Sequence, residues 1–411
     1  MTKEMLNAQR NKRLDDAIAL KEPDRVPFMP KMSGFYMYGY DISYYDVMKD
    51  ARNMERGVRS FIREYEPDAV NLAALYGIDA LEALDTTFLR WPGPTCGLPL
   101  DASFQHLDAT YLEDEEYEEF IMDPTHVMLT KLLPRKYKRL KGLSKLYFRQ
   151  VYDPIFFSDL GVFTDPEVID ALEALKEAGK ANARRAKQMD EVRSWVADEG
   201  YSTWCQGSMC IPFDAFGDCA RGIIQIALDC VEFPDELEAA VNKLTVMNVE
   251  RVLKLYASRG AKRVFFPLHC GVDDFMSLKN YERFYWPNLK YCIEKALELG
   301  MTPVCFCEGR YNSRLEFLCD VPKGKVVYMF ENVDLQRAKD TVGKVACICG
   351  TVPNALLAFG TREQVINETK RQIDILAPGG GFIMDCSMML DNATHENMRA
   401  WRETTLEYGK Y

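Results

Sequence analysis

Short apolar runs alternate with long amphipathic stretches along this chain, most clearly after residue 200, and this alternation constrains the fold more than any other feature. The runs are Val26–Met29, Ala69–Ala73, Ser202–Cys205, Arg263–Leu268, Pro303–Cys307, Val326–Phe330, Ala346–Gly350 and Phe382–Asp385. They do not alternate strictly between apolar and polar, as expected of parallel strands covered on both faces. Between them lie helical patterns such as Pro234–Ser258, Leu278–Leu299, Asp334–Val342 and Arg362–Leu376. The first opens Pro234-Asp235-Glu236, which suits a helix start: an N–H is already unpaired there and the dipole favours negative charge. Strands and helices in this order predict an α/β fold, a (β/α)₈ TIM barrel over residues 1–411. The gap between the second and third runs must then hold an inserted helical segment at about residues 89–200. Within it, Glu113–Glu119 is acidic and Lys131–Lys145 basic. A solvated helical face is expected for each, with a docking patch for a partner as the alternative.

The charge balance narrows the partners. With 51 Lys and Arg against 62 Asp and Glu, the net charge is −11. Nucleic acids and anionic membranes both call for a basic surface, so neither is an expected partner. No apolar run approaches the roughly 18 residues of a membrane helix. The start, MTKEMLNAQRNKRLDDAIAL, lacks the apolar core of a secretion signal, and a cytoplasmic location is expected. Thirteen cysteines in a chain able to build a large core argue for small buried hydrophobes in a reducing compartment rather than for disulfides. The few that matter would stand at strand ends.

In a parallel barrel, chemistry gathers at the C-terminal ends of the strands. Three ends carry suitable groups. Phe265-Phe266-Pro267-Leu268-His269-Cys270 brings a histidine, Pro303-Val304-Cys305-Phe306-Cys307-Glu308 two thiols and a carboxylate, and Phe382-Ile383-Met384-Asp385-Cys386 a third thiol. Side chains alternate along a strand, so Cys305 and Cys307 share a face and Phe306 takes the other. Inside a closed barrel, Cys305, Cys307 and Cys386 can converge, a set that suits Zn²⁺ in tetrahedral geometry with one position open. Cys347-x-Cys349 repeats the spacing and reads as core packing, while His106, His126 and His395 read as surface or helix-start residues. The aromatic run Phe35, Tyr36, Tyr38, Tyr40, Tyr44 and Tyr45 follows the first strand end. It is either a packed insertion or a flat apolar pocket for an aromatic ring, with Tyr36 and Tyr38 as its substrate-binding candidates.

Several stretches together resemble the uroporphyrinogen decarboxylase superfamily, which includes the corrinoid-dependent methyltransferases. They are Pro23-Asp24-Arg25-Val26-Pro27, Trp91-Pro92-Gly93, Met276-Ser277 with Phe284-Tyr285-Trp286-Pro287, Pro322-Lys323-Gly324-Lys325, Gly379-Gly380-Gly381-Phe382-Ile383 and Glu396-Asn397. The decarboxylases of that superfamily resemble one another in an arginine-rich stretch after the first strand, which grips a polyanionic tetrapyrrole. Here no arginine occurs between Arg25 and Arg52, which disfavours that substrate. The methyltransferase branch is more similar. Its zinc motif, His-x-Cys on one strand and a second Cys on the last, is matched by Cys305-Phe306-Cys307 and Cys386, with Cys305 where histidine would stand. Thiolate can replace imidazole on zinc but lowers its Lewis acidity, and His269 or Glu308 could complete the site instead.

The resemblance implies a zinc-dependent methyltransferase moving a methyl group from a small substrate, a methoxylated aromatic compound, to a corrinoid protein. His269 and Glu308 are the catalytic candidates. No D-x-H-x-x-G corrinoid module occurs, so the corrinoid is expected on a separate partner protein. The alternatives are a methylcobamide:thiol methyltransferase, a decarboxylase of a less charged acid, and a non-catalytic subunit that binds a corrinoid protein. A homodimer is one assembly open to such a barrel.

Overall fold

Six strands pair in chain order in one parallel sheet: β3 (Gly207–Ser208), β4 (Arg263–Leu268), β5 (Thr302–Arg310), β6 (Val327–Asn332), β7 (Cys347–Cys349) and β8 (Phe382–Ile383). They belong to a computed structural model that describes residues 2–72, 75–148 and 157–411. Two extended segments complete the wall. Phe28 and Met32 bridge Met384 and Leu390 in parallel, and Val70 bridges Thr203 in parallel. The Asp68 N–H donates to the Phe28 carbonyl at 2.7 Å, joining the two segments to each other. Eight parallel walls thus close on themselves, and the fold is the expected TIM barrel. The run expected at Ser202–Cys205 contributes one bridge, and its strand proper begins two residues later at Gly207. In the run Ala69–Ala73, Ala73 lies outside the described residues.

Alternation along the strands sorts side chains into two cores. Val304 and Phe306 of β5, Val327 and Met329 of β6, Cys347 and Cys349 of β7 and Ile383 of β8 share the barrel interior with Met29, Ala69 and Trp204. Leu14, Ala17 and Ile18 of the helix Lys3–Ile18 join this cluster and plug one end. The other parity (Val264, Phe266, Cys305, Cys307, Tyr328, Phe330 and Ile348) packs outward against the surrounding helices. Below the wall, buried Asp68 accepts from Arg25 at 2.8 and 3.1 Å and from Arg13, while Arg13 also grips Asp24 at 2.6 Å. The Pro23–Pro27 stretch is therefore pinned to the second wall by paired charges.

The insertion carries the hairpin of β1 (Leu89–Arg90) and β2 (Gln105–His106), several short helices, and the helix Pro166–Asp198. Asp165 caps that helix and Pro166 occupies its first turn. Its buried Val168, Ala171, Ala174, Ala178 and Ala181 recur every three or four residues and so form one face. The acidic and basic runs turn out to face each other. Arg135 reaches Glu116 at 2.7 Å, and Lys131 bridges Glu116 and Glu119. Among the described residues no helix is long and apolar enough to cross a membrane.

Candidate active site

Where β4 ends, the inward parity of Phe265 and Pro267 continues to His269. The preceding β/α unit supplies its partners. Asp214 stands on the helix Pro212–Phe216, and Asp218 lies one turn further along. His269 Nε2 is 2.9 Å from Asp218 Oδ1, and Nδ1 is 3.9 Å from Asp214 Oδ2. Asp214 is fully buried and held in place: it accepts the Cys270 N–H at 3.0 Å and the Tyr285 hydroxyl at 2.8 Å. Burial works against a charge on His269, but Asp214 and Asp218, with Glu308, outweigh it and raise its pKa to about 10. His269 is an imidazolium at neutral pH.

Glu308 takes the inward face of β5, two residues beyond Phe306. Burial pushes its carboxyl up to about 7, with His269 opposing and Asp214 and Glu331 reinforcing the rise. The strand bends immediately after it. Gly309 has φ +97°, and a Cβ there would lie 2.9 Å from Val272 Cγ1, so only glycine fits this turn without strain. Its N–H donates to Glu331 Oε2 at 2.5 Å, tying the ends of β5 and β6 together.

Lys31 points into the barrel from the first wall and is fully buried. Its Nζ donates to Asp385 Oδ2 at 2.9 Å and to the Cys386 carbonyl at 2.7 Å, and lies 4.6 Å from the Phe306 ring centroid. The Phe306 ring in turn packs on Phe265 at 5.9 Å. Phe265 lines a cavity of about 440 Å³ bounded by Ser33, Asn71, Cys205 and Phe104, a volume suited to a single-ring compound. Phe104 comes from the insertion. It packs with Tyr76 at 5.0 Å and with His106 at 5.6 Å, and His106 is close enough to Asp218 and His269 to feel their charges.

The sequence-level site is only partly assembled. His269 and Glu308 both stand at C-terminal strand ends, close enough to feel each other's charge. Cys305, Cys307 and Cys386 do not come together. The alternation of β5 turns Cys305 and Cys307 outward into the helical layer, and burial pushes both thiols far up. Cys386 is buried beside Lys31 and Asp385, its Sγ 3.4 Å from Asp385 Oδ1. Among the described residues, the set of three metal-ligating side chains whose donor atoms fall within 4.8 Å of one another is Asp214, His269 and Cys270. The three cysteines therefore do not fit a shared zinc ion. Tyr36 and Tyr38 do not line the cavity either. Tyr36 is fully buried against Phe61 and donates to the Asn71 carbonyl at 2.6 Å, while Tyr38 packs on Tyr44 and donates to the Asp101 carbonyl. The packed-insertion reading holds for both. Asp214, Asp218, Lys31, Phe104 and His106 were not expected here. Asp214 and Asp218, spaced i and i+4 just beyond a strand, were the readable signal among them.

The family model for uroporphyrinogen decarboxylase (URO-D) matches residues 162–408. The chain belongs to that family. No curated protein sequence matches it. Among solved structures, this family member resembles a methyltransferase from Methanosarcina mazei, with 15% identity and a TM-score of 0.62 over 97% of this chain and 98% of that one. The likeness extends the shared fold across the insertion. A B12-independent methionine synthase from Shewanella sp. aligns over 48% of this chain and 59% of its own, with 12% identity and a TM-score of 0.34.

Proposed function

We propose that this uroporphyrinogen decarboxylase family member is a methyltransferase that takes a methyl group from a methoxylated aromatic compound and passes it to a corrinoid protein. The observation that carries the reading is the imidazolium of His269, held between Asp214 and Asp218 at the barrel mouth. An aryl methyl ether resists demethylation because its oxygen leaves poorly as an anion. The corrinoid, when its carrier protein docks, supplies the nucleophile that accepts the methyl group. As the C–O bond breaks, its electron pair stays on oxygen, and this reading assigns to His269 the proton that the oxygen takes up. A phenol titrates near 10, and His269 also titrates at about 10, so the proton moves between matched groups. Glu308, poised at about 7 and within reach of the His269 charge, is assigned the return of the proton after product leaves. Phe265, Phe104 and the neighbouring Tyr76 supply apolar ring faces of the kind an arene needs. No step runs through zinc, because the cysteines implied by the resemblance do not share a centre.

The test is incubation with methoxylated aromatics and a Co(I)-corrinoid protein while following the cobalt spectrum. Methyl transfer is expected with the parent chain, with a loss of roughly 10²–10⁴-fold in His269→Gln, the range of a removed general acid. Transfer at the parent rate in His269→Gln would remove the proposed acid.

A further inference from the structure

A metal held between β5 and β8 needs donors on the inward faces of those strands. At the C-terminal end of β5 the inward positions are Phe306 and Glu308, and beyond β8 the inward position is Asp385, whose two oxygens are already engaged. Asp385 Oδ1 accepts the Lys31 N–H at 2.7 Å and Oδ2 the Lys31 ammonium at 2.9 Å. A carboxylate, the Cys386 carbonyl and the face of Phe306 surround one point inside the barrel, and all three are groups that attract a cation. The cation standing there is the side chain of Lys31. A dication at the same place would be repelled by the ammonium, and expelling the ammonium would leave Asp385 buried without its partner.

We propose that Lys31 replaces the interior metal of the resembled methyltransferases. In this chain the fixed positive charge between β5 and β8 is an ammonium, and Cys305, Cys307 and Cys386 are core residues rather than ligands. The inference stands whichever reaction the barrel performs. It also assigns Phe306 a role: its ring face covers the ammonium from the side of the Phe265 cavity.

The experiment measures zinc by mass spectrometry after incubation with zinc and gel filtration, in the parent protein and in Cys307→Ser and Cys386→Ser. The expected result is the same zinc content in all three, to within a tenth of an equivalent. Loss of half or more of the parent's zinc in either variant, at an unchanged melting temperature, would overturn the proposal. Cobalt(II) loading gives a second readout. The expected spectrum has no thiolate-to-cobalt charge-transfer absorption that Cys307→Ser or Cys386→Ser removes. Absorption of that kind lost in either variant, at an unchanged melting temperature, would place cobalt on that thiol and refute the ammonium's role.

Discussion

Replacing Asp218 by asparagine isolates one of the two carboxylates that keep His269 charged. The substitution preserves shape and removes the charge opposite Nε2, at present 2.9 Å away. A hydrogen bond to a charged partner contributes about 1.5–3 kcal/mol. Asp218 is 36% exposed, so solvent screening places this bond at the lower end. About 1.5 kcal/mol corresponds to about one pH unit. His269 is therefore expected to fall from about 10 to roughly 9, with buried Asp214 still holding it above its ordinary 6.5. The chain has four histidines, so an NMR titration of the imidazole protons can follow each separately. In turnover assays, the alkaline limb of the pH–rate profile should move down by the same amount. Titration of His269 near 6.5 in the parent protein, or an unmoved His269 in Asp218→Asn, would refute the argument that two carboxylates set its acidity.

Two further substitutions test the interior. Lys31→Met leaves Asp385 buried without its cation, and a loss of about 3–5 kcal/mol is expected in urea unfolding, most of it recovered in Lys31→Met/Asp385→Leu; a single-variant loss under about 1 kcal/mol would show that the pair is not buried as described. Glu308→Gln probes pH dependence. The folded carboxyl binds its proton more tightly than the ordinary value of 4.5, so its contribution to stability is complete below 4.5 and declines as pH rises towards about 7. The variant should therefore gain melting temperature over the parent between pH 5 and 8, and a difference that stays flat over that range contradicts the raised carboxyl.

The barrel was legible because eight apolar runs and the helices between them leave few other ways to bury both faces of each strand. The parity of β5 was not. Pro303-Val304-Cys305-Phe306-Cys307 is apolar at every position, because one face meets the interior and the other the helices, and such a run carries no mark of which face is which. Only Glu308, the polar residue in phase with Phe306, hinted that the even-numbered positions turn inward. His269 was readable from its place after a strand, but its partners come from the preceding β/α unit, on the helix Pro212–Phe216 and the turn after it, and the sequence does not show which side chains of that stretch turn towards the strand end. The tyrosines after the first strand misled for a similar reason: their spacing fits a pocket and a packed helix equally, and the backbone carbonyls of Asn71 and Asp101 that accept their hydroxyls lie on distant segments.

Phe104 and His106 ride on a hairpin that leaves the barrel between its second and third walls, whereas Asp214, Asp218 and His269 belong to the third and fourth β/α units. On the proposed reading, ring selection and acidity sit on separate stretches of chain that can change length and sequence independently. A graft that rebuilds the hairpin would then alter which arene enters while leaving Asp214, Asp218 and His269 on their own elements. Selectivity would be a removable part of this barrel, and the acid part of its frame.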